Sequence, residues 1–216
     1  FKSLVNGKDT LVGADIELAK AIGEKLGVKV EFSVMSFDNV LANVQSGKAD
    51  IAIAGISVTD ERKKVYDFSD SYYTSENVVI VKKDKVNDYT STDSLAKQTV
   101  GTQKGSVQET VAKKQIPKAS VVSLASNGEM INELKSGQLQ AVVLEKAIAE
   151  GYIAQNDDLT LANFNLKSDG TDAYAVATRK GSDDLLKEIN AVIKETKDSG
   201  KFDQWLKEAS TYKQSK

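Results

Sequence analysis

The chain has 216 residues, of which 40% are hydrophobic and 28% are charged, and its formal net charge is −2. A globular protein of this length can form one large domain or two lobes with separate cores. There is no cysteine and no histidine, which excludes disulfides, thiolate zinc sites, cysteine nucleophiles and histidine acid–base catalysis. No basic stripe with interleaved aromatic residues is present, so we expect no nucleic-acid partner. No apolar run approaches the ~20 residues of a membrane helix.

Helices and strands alternate in the first third of the chain. Asn6-Gly7 predicts a tight turn, and apolar residues at helical spacing over 16–26 predict a helix. Alternating apolar residues over 28–32 predict a strand, and a short helix follows over 37–47. Residues 51–56 are small and apolar, which is typical of a strand buried on both faces. This alternation indicates an α/β layer.

A cationic side chain follows the end of that buried strand. Thr59 can cap a helix that begins with two acids, and Arg62 lies one turn into it. Ligands of α/β sheets bind at this edge, and a guanidinium beside backbone amides matches a carboxylate or a phosphate. The alternative is that Arg62 is solvated or paired with a neighbouring acid, as on many surface helices.

The second half alternates in the same way. Residues 82–93 are polar without a period and are interpreted as a crossing segment. Ser106 and Glu109 form a capping box that opens a helix, and another helix covers 145–154. Two amphipathic helices follow residue 184. Further strands are predicted over 78–81, 100–105, 120–123, 141–144, 160–166 and 173–178.

One sequence unit occurs twice. The segment 43–54 (NVQSGKADIAIA) is matched by 133–144 (ELKSGQLQAVVL), each with a helix end, Ser-Gly and a buried strand. The repeat is too short for a solenoid. It indicates two similar α/β lobes, unless the match is coincidental.

The run 47–73 resembles the solute-binding proteins of polar amino acid ABC importers. Their pattern has a helix ending in S-G-K, an Asp-led strand, G-[IML]-[ST]-x-T-x-E-R-[KR]-K and D-F-[ST]-x-x-Y-Y. The resemblance extends from Gly13 to the C-terminal helix. The matching residues are Gly47, Asp50, Gly55, Ser57, Thr59, Glu61, Arg62, Asp67, Phe68, Ser69, Tyr72 and Tyr73.

The resemblance implies a periplasmic-binding-protein-like α/β fold of type II. Each lobe would be a mixed sheet flanked by helices, and two strands would cross between the lobes as a hinge. Lobe one is expected at 1–81 and 172–216, and lobe two at 82–171. A ligand would be held between the closing lobes.

The resemblance also implies a site for a free amino acid. Arg62 would bind its carboxylate, with backbone amides near Ser57 and Val107, the latter opening a helix whose N-terminus suits an anion. Glu145 would bind the ammonium together with the Gly55 carbonyl and the Ser57 hydroxyl. The family usually has aspartate at the position of Glu145, and the alternative role of Glu145 is to cap a helix.

The remaining expected contacts surround the ligand side chain. Phe37 matches a lining aromatic residue and is otherwise a core residue. Gln103 and Gln108 would contact the distal part of the ligand, and Ile56 completes the expected set. Family members place an acidic and an aromatic contact just upstream of Phe1. Arginine is favoured over glutamine or another polar or basic amino acid.

The implied role is that of a non-enzymatic, extracellular binding component that delivers its ligand to a membrane permease. We expect a monomer without cofactor or metal. The missing initial methionine indicates a trimmed, exported protein, either periplasmic or a membrane-tethered lipoprotein. The alternatives are a ligand-binding sensor domain of a receptor and a dehydratase on the same fold.

Overall fold

The computed structural model describes residues 2–5, 8–74, 76–168, 172–209 and 211–212. The chain forms two compact units. The first comprises Phe1–Val34, Val40–Tyr73 and Ala173–Lys216, and the second comprises Met35–Asn39 and Thr74–Asp172.

Helices and strands alternate along most of the chain, which confirms the predicted α/β class. The strands are β1 (Lys2–Val5), β2 (Lys8–Leu11), β3 (Ile51–Ser57), β4 (Tyr66–Thr74), β5 (Asn77–Lys82), β6 (Thr99–Gln103), β7 (Ser120–Leu124), β8 (Ala141–Glu145), β9 (Leu159–Leu161) and β10 (Ala173–Arg179). The α-helices are α1 (Ala14–Leu26), α2 (Phe37–Gln45), α3 (Asp60–Lys63), α4 (Val107–Gln115), α5 (Asn127–Ser136), α6 (Lys146–Gln155), α7 (Asp183–Asp198) and α8 (Lys201–Ala209).

The first unit has a three-stranded sheet of order β3-β10-β4 and a β1-β2 hairpin. The predicted turn residues Asn6 and Gly7 lie outside the described residues. Helices α1, α7 and α8 contact one another, and their apolar faces form the core with β4 and β10. Its most buried members are Leu18, Ile22, Tyr72, Tyr174, Val176, Ile189, Val192, Ile193 and Phe202.

The second unit has a five-stranded sheet of order β7-β6-β8-β5-β9. Strands β7, β6 and β8 are parallel, and β5 runs antiparallel to β8 and β9. The chain leaves β6 toward β7 and leaves β8 toward β9, so the connections diverge between β6 and β8. Such a switch point opens a crevice at the carboxyl ends of the two strands.

Two predicted strands differ from the structure. Residues 28–36 form no strand, and Val28 and Val34 are 57% and 63% exposed. Alternation alone does not make a strand, because a strand also needs a neighbouring backbone, and no described strand pairs with this segment. The strand expected over 160–166 is limited to β9, Leu159–Leu161.

Strand β5 and the polar stretch that follows it lie near the start of Thr74–Asp172, the long segment of the second unit. The prediction ended the first lobe at residue 81, whereas β5 pairs with β8 and β9 within the second unit. The polar stretch after β5 forms two short 3₁₀ turns, Lys83–Lys85 and Asp93–Leu95, in that same unit.

Candidate functional site

The predicted site residues form two groups, one in each unit. In the first unit, Gly55, Ile56 and Ser57 end β3, and Arg62 follows on α3. The Thr59 hydroxyl caps α3 by accepting from the Arg62 backbone N–H at 3.1 Å. The Arg62 guanidinium folds back and donates from Nη1 to the Ser57 carbonyl oxygen at 2.9 Å. The short cap and turn therefore hold the cation beside the end of the strand.

The environment of this first group is partly buried. Burial lowers the pKa of Arg62 from its ordinary value, while Tyr66 acts in the opposite sense. The guanidinium nevertheless stays charged, because its ordinary pKa lies far above neutrality. Ser57 is 2% exposed and Ile56 is fully buried, so the Ile56 side chain packs into the interior. A half-buried cation beside a strand end can bind an anion.

Gly55 has a backbone conformation that few other residues tolerate, with φ of +61°. The β3–β10 register shifts beside it, between Ala175 and Ala177. The Gly55 N–H donates to the Tyr72 hydroxyl at 3.1 Å. No local sequence signal connects Tyr72 with Gly55, because the two residues are 17 positions apart.

In the second unit, three predicted residues lie where β6 turns into α4. Gln103 ends β6, and Val107 and Gln108 begin α4. The Ser106 hydroxyl caps the helix by accepting from the Glu109 N–H at 3.4 Å. In the predicted capping box, the Glu109 carboxylate would accept from the N–H of the cap residue, Ser106. In the structure it accepts instead from the N–H of the preceding residue, Gly105.

Glu145 ends β8 and caps α6, as its alternative role predicted. Its Oε1 accepts from the Ala147 N–H at 3.0 Å and its Oε2 from the Ile148 N–H at 3.1 Å. The residue is 5% exposed. Each carboxylate oxygen has two acceptor positions, so capping alone does not exhaust the carboxylate. Because β6 and β8 are parallel neighbours, Glu145 and Gln103 end strands at the same sheet edge.

Asn77 joins this second group, although no sequence signal marks it. It lies directly opposite Glu145 in the antiparallel β5–β8 pair, where the side chains of facing residues share one side of the sheet. Its Oδ1 accepts from Gln108 Nε2 at 2.7 Å. Asn77 therefore lies opposite the end of β8 and is joined to the start of α4 by a partly buried amide–amide hydrogen bond.

Phe37, the first residue of α2, is half-buried and is also grouped with the second unit. The next residue, Asp38, pairs with Lys104 at 3.1 Å. Hydrogen bonds from Ser36 and Lys104 lower the pKa of Asp38. A side chain at Gly105 would approach Asp38 Cβ to 3.0 Å. This close packing positions the start of α2 beside the loop between β6 and α4.

Within the described ranges, no three acidic side chains are grouped so that they could hold a metal ion. No described helix is both long and apolar enough to cross a membrane.

Comparison with known proteins gives a consistent result. The sequence profile of the bacterial extracellular solute-binding proteins, family 3, matches residues 1–209. The arginine-binding extracellular protein ArtP of Bacillus subtilis (strain 168) is 35% identical over 204 residues, covering 92% of this chain and 78% of ArtP.

Solved structures are similar over nearly the whole chain. An amino acid ABC transporter substrate-binding protein from Streptococcus pneumoniae Canada MDR_19A, bound to L-arginine, is 46% identical with a TM-score of 0.97, covering 100% of this chain and 90% of that protein. The ancestral amino acid-binding protein AncCDT-1, a precursor of cyclohexadienyl dehydratase, is 35% identical with a TM-score of 0.85, covering 95% and 88%.

Proposed function

Because the chain belongs to the bacterial extracellular solute-binding proteins of family 3, we propose that it binds free L-arginine for an amino acid ABC importer. The observation that carries the proposal is the Arg62 guanidinium held beside Ser57, in a chain similar to proteins described as binding arginine.

The first group of residues suits the main-chain end of an amino acid. Arg62 would bind the α-carboxylate, since the planar guanidinium matches two carboxylate oxygens. The buried Ser57 hydroxyl and the Gly55 carbonyl would accept from the α-ammonium. Burying both charges requires that each be paired, which selects a zwitterion over a neutral solute.

The second group suits a charged and polar ligand. Glu145 would pair with the ammonium while it caps α6. The backbone amides at Val107 would add donors for the carboxylate. Gln103, Gln108 and Phe37 would contact the ligand side chain, with amide oxygens for a guanidinium and an aromatic ring for its planar face.

Glutamine is a second candidate ligand. The observation that favours it is the amide pair of Gln108 and Asn77 at the sheet edge, because an amide can both donate to and accept from another amide. Arginine is favoured because the chain is similar to proteins described as binding arginine.

We propose the two compact units as the two lobes of the binding protein. One amino acid bound by both groups would favour the closed state by its differential affinity for that state. A membrane permease would be the partner that recognises this form. The protein would act as an exported monomer, tethered as a lipoprotein or free in the periplasm, without nucleic-acid partner, cofactor or metal.

Two other roles are distinguishable from transport. A sensor domain would bind the same ligand within a receptor that continues into transmembrane segments. A dehydratase would consume its ligand, and the similarity to a dehydratase precursor makes product analysis worthwhile. We propose binding without catalysis, so arginine incubated with the protein would be recovered unchanged.

A thermal-shift screen of the twenty amino acids tests the proposal. A ligand of the native state alone adds about 2.7 kcal/mol at ~100 Kd, which is about 5–10 °C in Tm for a chain of this size. The expected result is the largest shift with arginine. Absence of a shift with every amino acid would overturn the proposed function.

A further inference from the structure

A buried tyrosine connects the end of β3 to helix α1. The Tyr72 hydroxyl accepts from the Gly55 N–H at 3.1 Å and hydrogen-bonds with the Asp15 carboxylate. A phenol has a single proton, so the hydroxyl donates it to Asp15 while it accepts from Gly55. Asp15, Tyr72 and Gly55 therefore form a directed chain of two hydrogen bonds, which we call the Asp15–Tyr72–Gly55 chain.

Gly55 needs this partner because β3 is irregular there. Along the β3–β10 pair, Ala52 faces Ala177 and Ile56 faces Ala175. Three residues of β3 are thus opposite one residue of β10, which is a bulge that disrupts the regular ladder. The N–H of Gly55 finds its acceptor on a side chain of β4 instead.

The Tyr72 ring is held rigidly in the core of the first unit. The residue is 3% exposed, and its ring packs edge-on against Phe202 with centroids 5.6 Å apart. Burial, followed by the charge of Asp15, raises the pKa of Tyr72 well above its ordinary value. The hydroxyl is therefore protonated and able to donate at neutral pH.

We propose that Tyr72, oriented by Asp15, is a positioning residue that sets the direction of the Gly55 peptide for recognition of the ligand's α-ammonium. The inference rests on the proposed function, in which the Gly55 carbonyl accepts from that ammonium. The left-handed φ of Gly55 leaves its backbone few steric restraints, so the hydrogen bond to Tyr72 supplies the restraint. Arginine recognition thus depends on a hydroxyl that does not contact the ligand.

Ser69 provides a matched control on β4, the strand that also carries Tyr72. The Ser69 hydroxyl accepts from the Val176 N–H at 2.9 Å, and Ser69 is 7% exposed. Ser69→Ala thus removes a buried hydroxyl from β4 and leaves a β10 backbone N–H without its acceptor. It removes a buried hydrogen bond, as Tyr72→Phe does, but leaves the Gly55 N–H its acceptor on Tyr72.

The test compares L-arginine with 5-guanidinopentanoic acid, which is arginine without its α-ammonium. Calorimetry is expected to show about tenfold weaker arginine binding in Tyr72→Phe, because the Gly55 peptide that would accept from the α-ammonium is no longer held by its hydrogen bond. Binding of the deamino compound is expected to be unchanged. Ser69→Ala is expected to bind both compounds as the wild type does, and Asp15→Asn, which keeps an acceptor for Tyr72, is expected to retain most arginine affinity.

Amide hydrogen exchange without ligand gives an independent measurement. Tyr72→Phe is expected to accelerate exchange at Gly55, whereas Ser69→Ala is expected to accelerate it at Val176. Unchanged protection of Gly55, equal losses for the two compounds, or an equal loss in Ser69→Ala would overturn the inference. If the wild type binds neither compound, the proposed function fails, and Gly55 exchange still decides whether Tyr72 restrains this peptide.

Discussion

Gln108 donates from its side-chain amide to the Asn77 side-chain oxygen at 2.7 Å. The bond fixes the rotamer of a residue at the start of α4 from a residue at the start of β5. Asn77 also faces Glu145 across the β5–β8 pair. The Gln108–Asn77 hydrogen bond therefore connects the start of α4 to β5, and the strand register places Asn77 opposite Glu145.

The hydrogen bond between Gln108 and Asn77 predicts that the two side chains are energetically coupled. Asn77→Ala and Gln108→Ala are each expected to weaken arginine binding about threefold to tenfold, because each removes one side of the same hydrogen bond. The double variant is expected to lose little more than either single variant. Isothermal titration calorimetry on the three variants measures the coupling.

Gln115→Ala provides the control for this cycle. Gln115 lies on the same helix but hydrogen-bonds with Lys167, so its removal is expected to leave affinity unchanged. If the losses of arginine-binding free energy in Asn77→Ala and Gln108→Ala add fully in the double variant, the two side chains are not coupled.

Glu145→Gln separates helix capping from ligand binding. The variant keeps one carbonyl oxygen but loses the charge, and one of the two capped N–H groups then faces an amide NH₂. The free energy of unfolding is expected to fall by about 1 kcal/mol. Arginine affinity is expected to fall more than tenfold, because a buried ammonium loses its anionic partner.

Ser126→Ala is the matched variant for Glu145→Gln. Its hydroxyl caps α5 by accepting from the Glu129 N–H at 3.2 Å, so it is expected to lose similar stability and no affinity. Denaturant unfolding and calorimetry on both variants give the comparison. If Glu145→Gln binds arginine as tightly as the wild type does, Glu145 caps α6 and does not bind the ligand.

The lowered pKa of Asp67 predicts that the free energy of unfolding decreases in acid. A hydrogen bond from Lys180, followed by the Gly181 N–H, lowers the pKa of Asp67, with distances of 3.0 and 2.8 Å. A carboxylate whose pKa is lower in the folded state stabilises the protein above its unfolded pKa. That stability is lost as the pH falls through the lowered folded pKa.

Asp67→Asn is therefore expected to cost about 1 kcal/mol of unfolding free energy at pH 7. The difference in unfolding free energy between the wild type and Asp67→Asn is expected to become smaller below about pH 4. Urea unfolding across this range measures both effects. Asp60→Asn is the control, since the Asp60 side chain is 97% exposed. If the unfolding free energies of the wild type and Asp67→Asn differ by the same amount at every pH, Asp67 does not cause the pH dependence.

The sequence predicted the local structure that depends on short spacings, such as the Thr59 cap of α3. Thr59 and Arg62 are three residues apart, and a cap followed by one helical turn brings the guanidinium back to Ser57. The Gly55–Tyr72 and Asn77–Gln108 contacts were not predicted, because strand pairing and sheet order bring those residues together. The same reason explains the strand wrongly predicted over 28–32, where the alternation is local but no described strand supplies the second backbone.

In the proposed function, Arg62 holds the carboxylate of bound arginine. Calorimetric titration of L-arginine into the wild type, Arg62→Ala and Lys63→Ala tests it most directly. Lys63 is the neighbouring cation on α3, and its side chain is 58% exposed and pairs with Asp60. We expect the wild type and Lys63→Ala to bind arginine equally, while Arg62→Ala, still folded, binds it at least about 30-fold more weakly. Unchanged affinity in Arg62→Ala would contradict it.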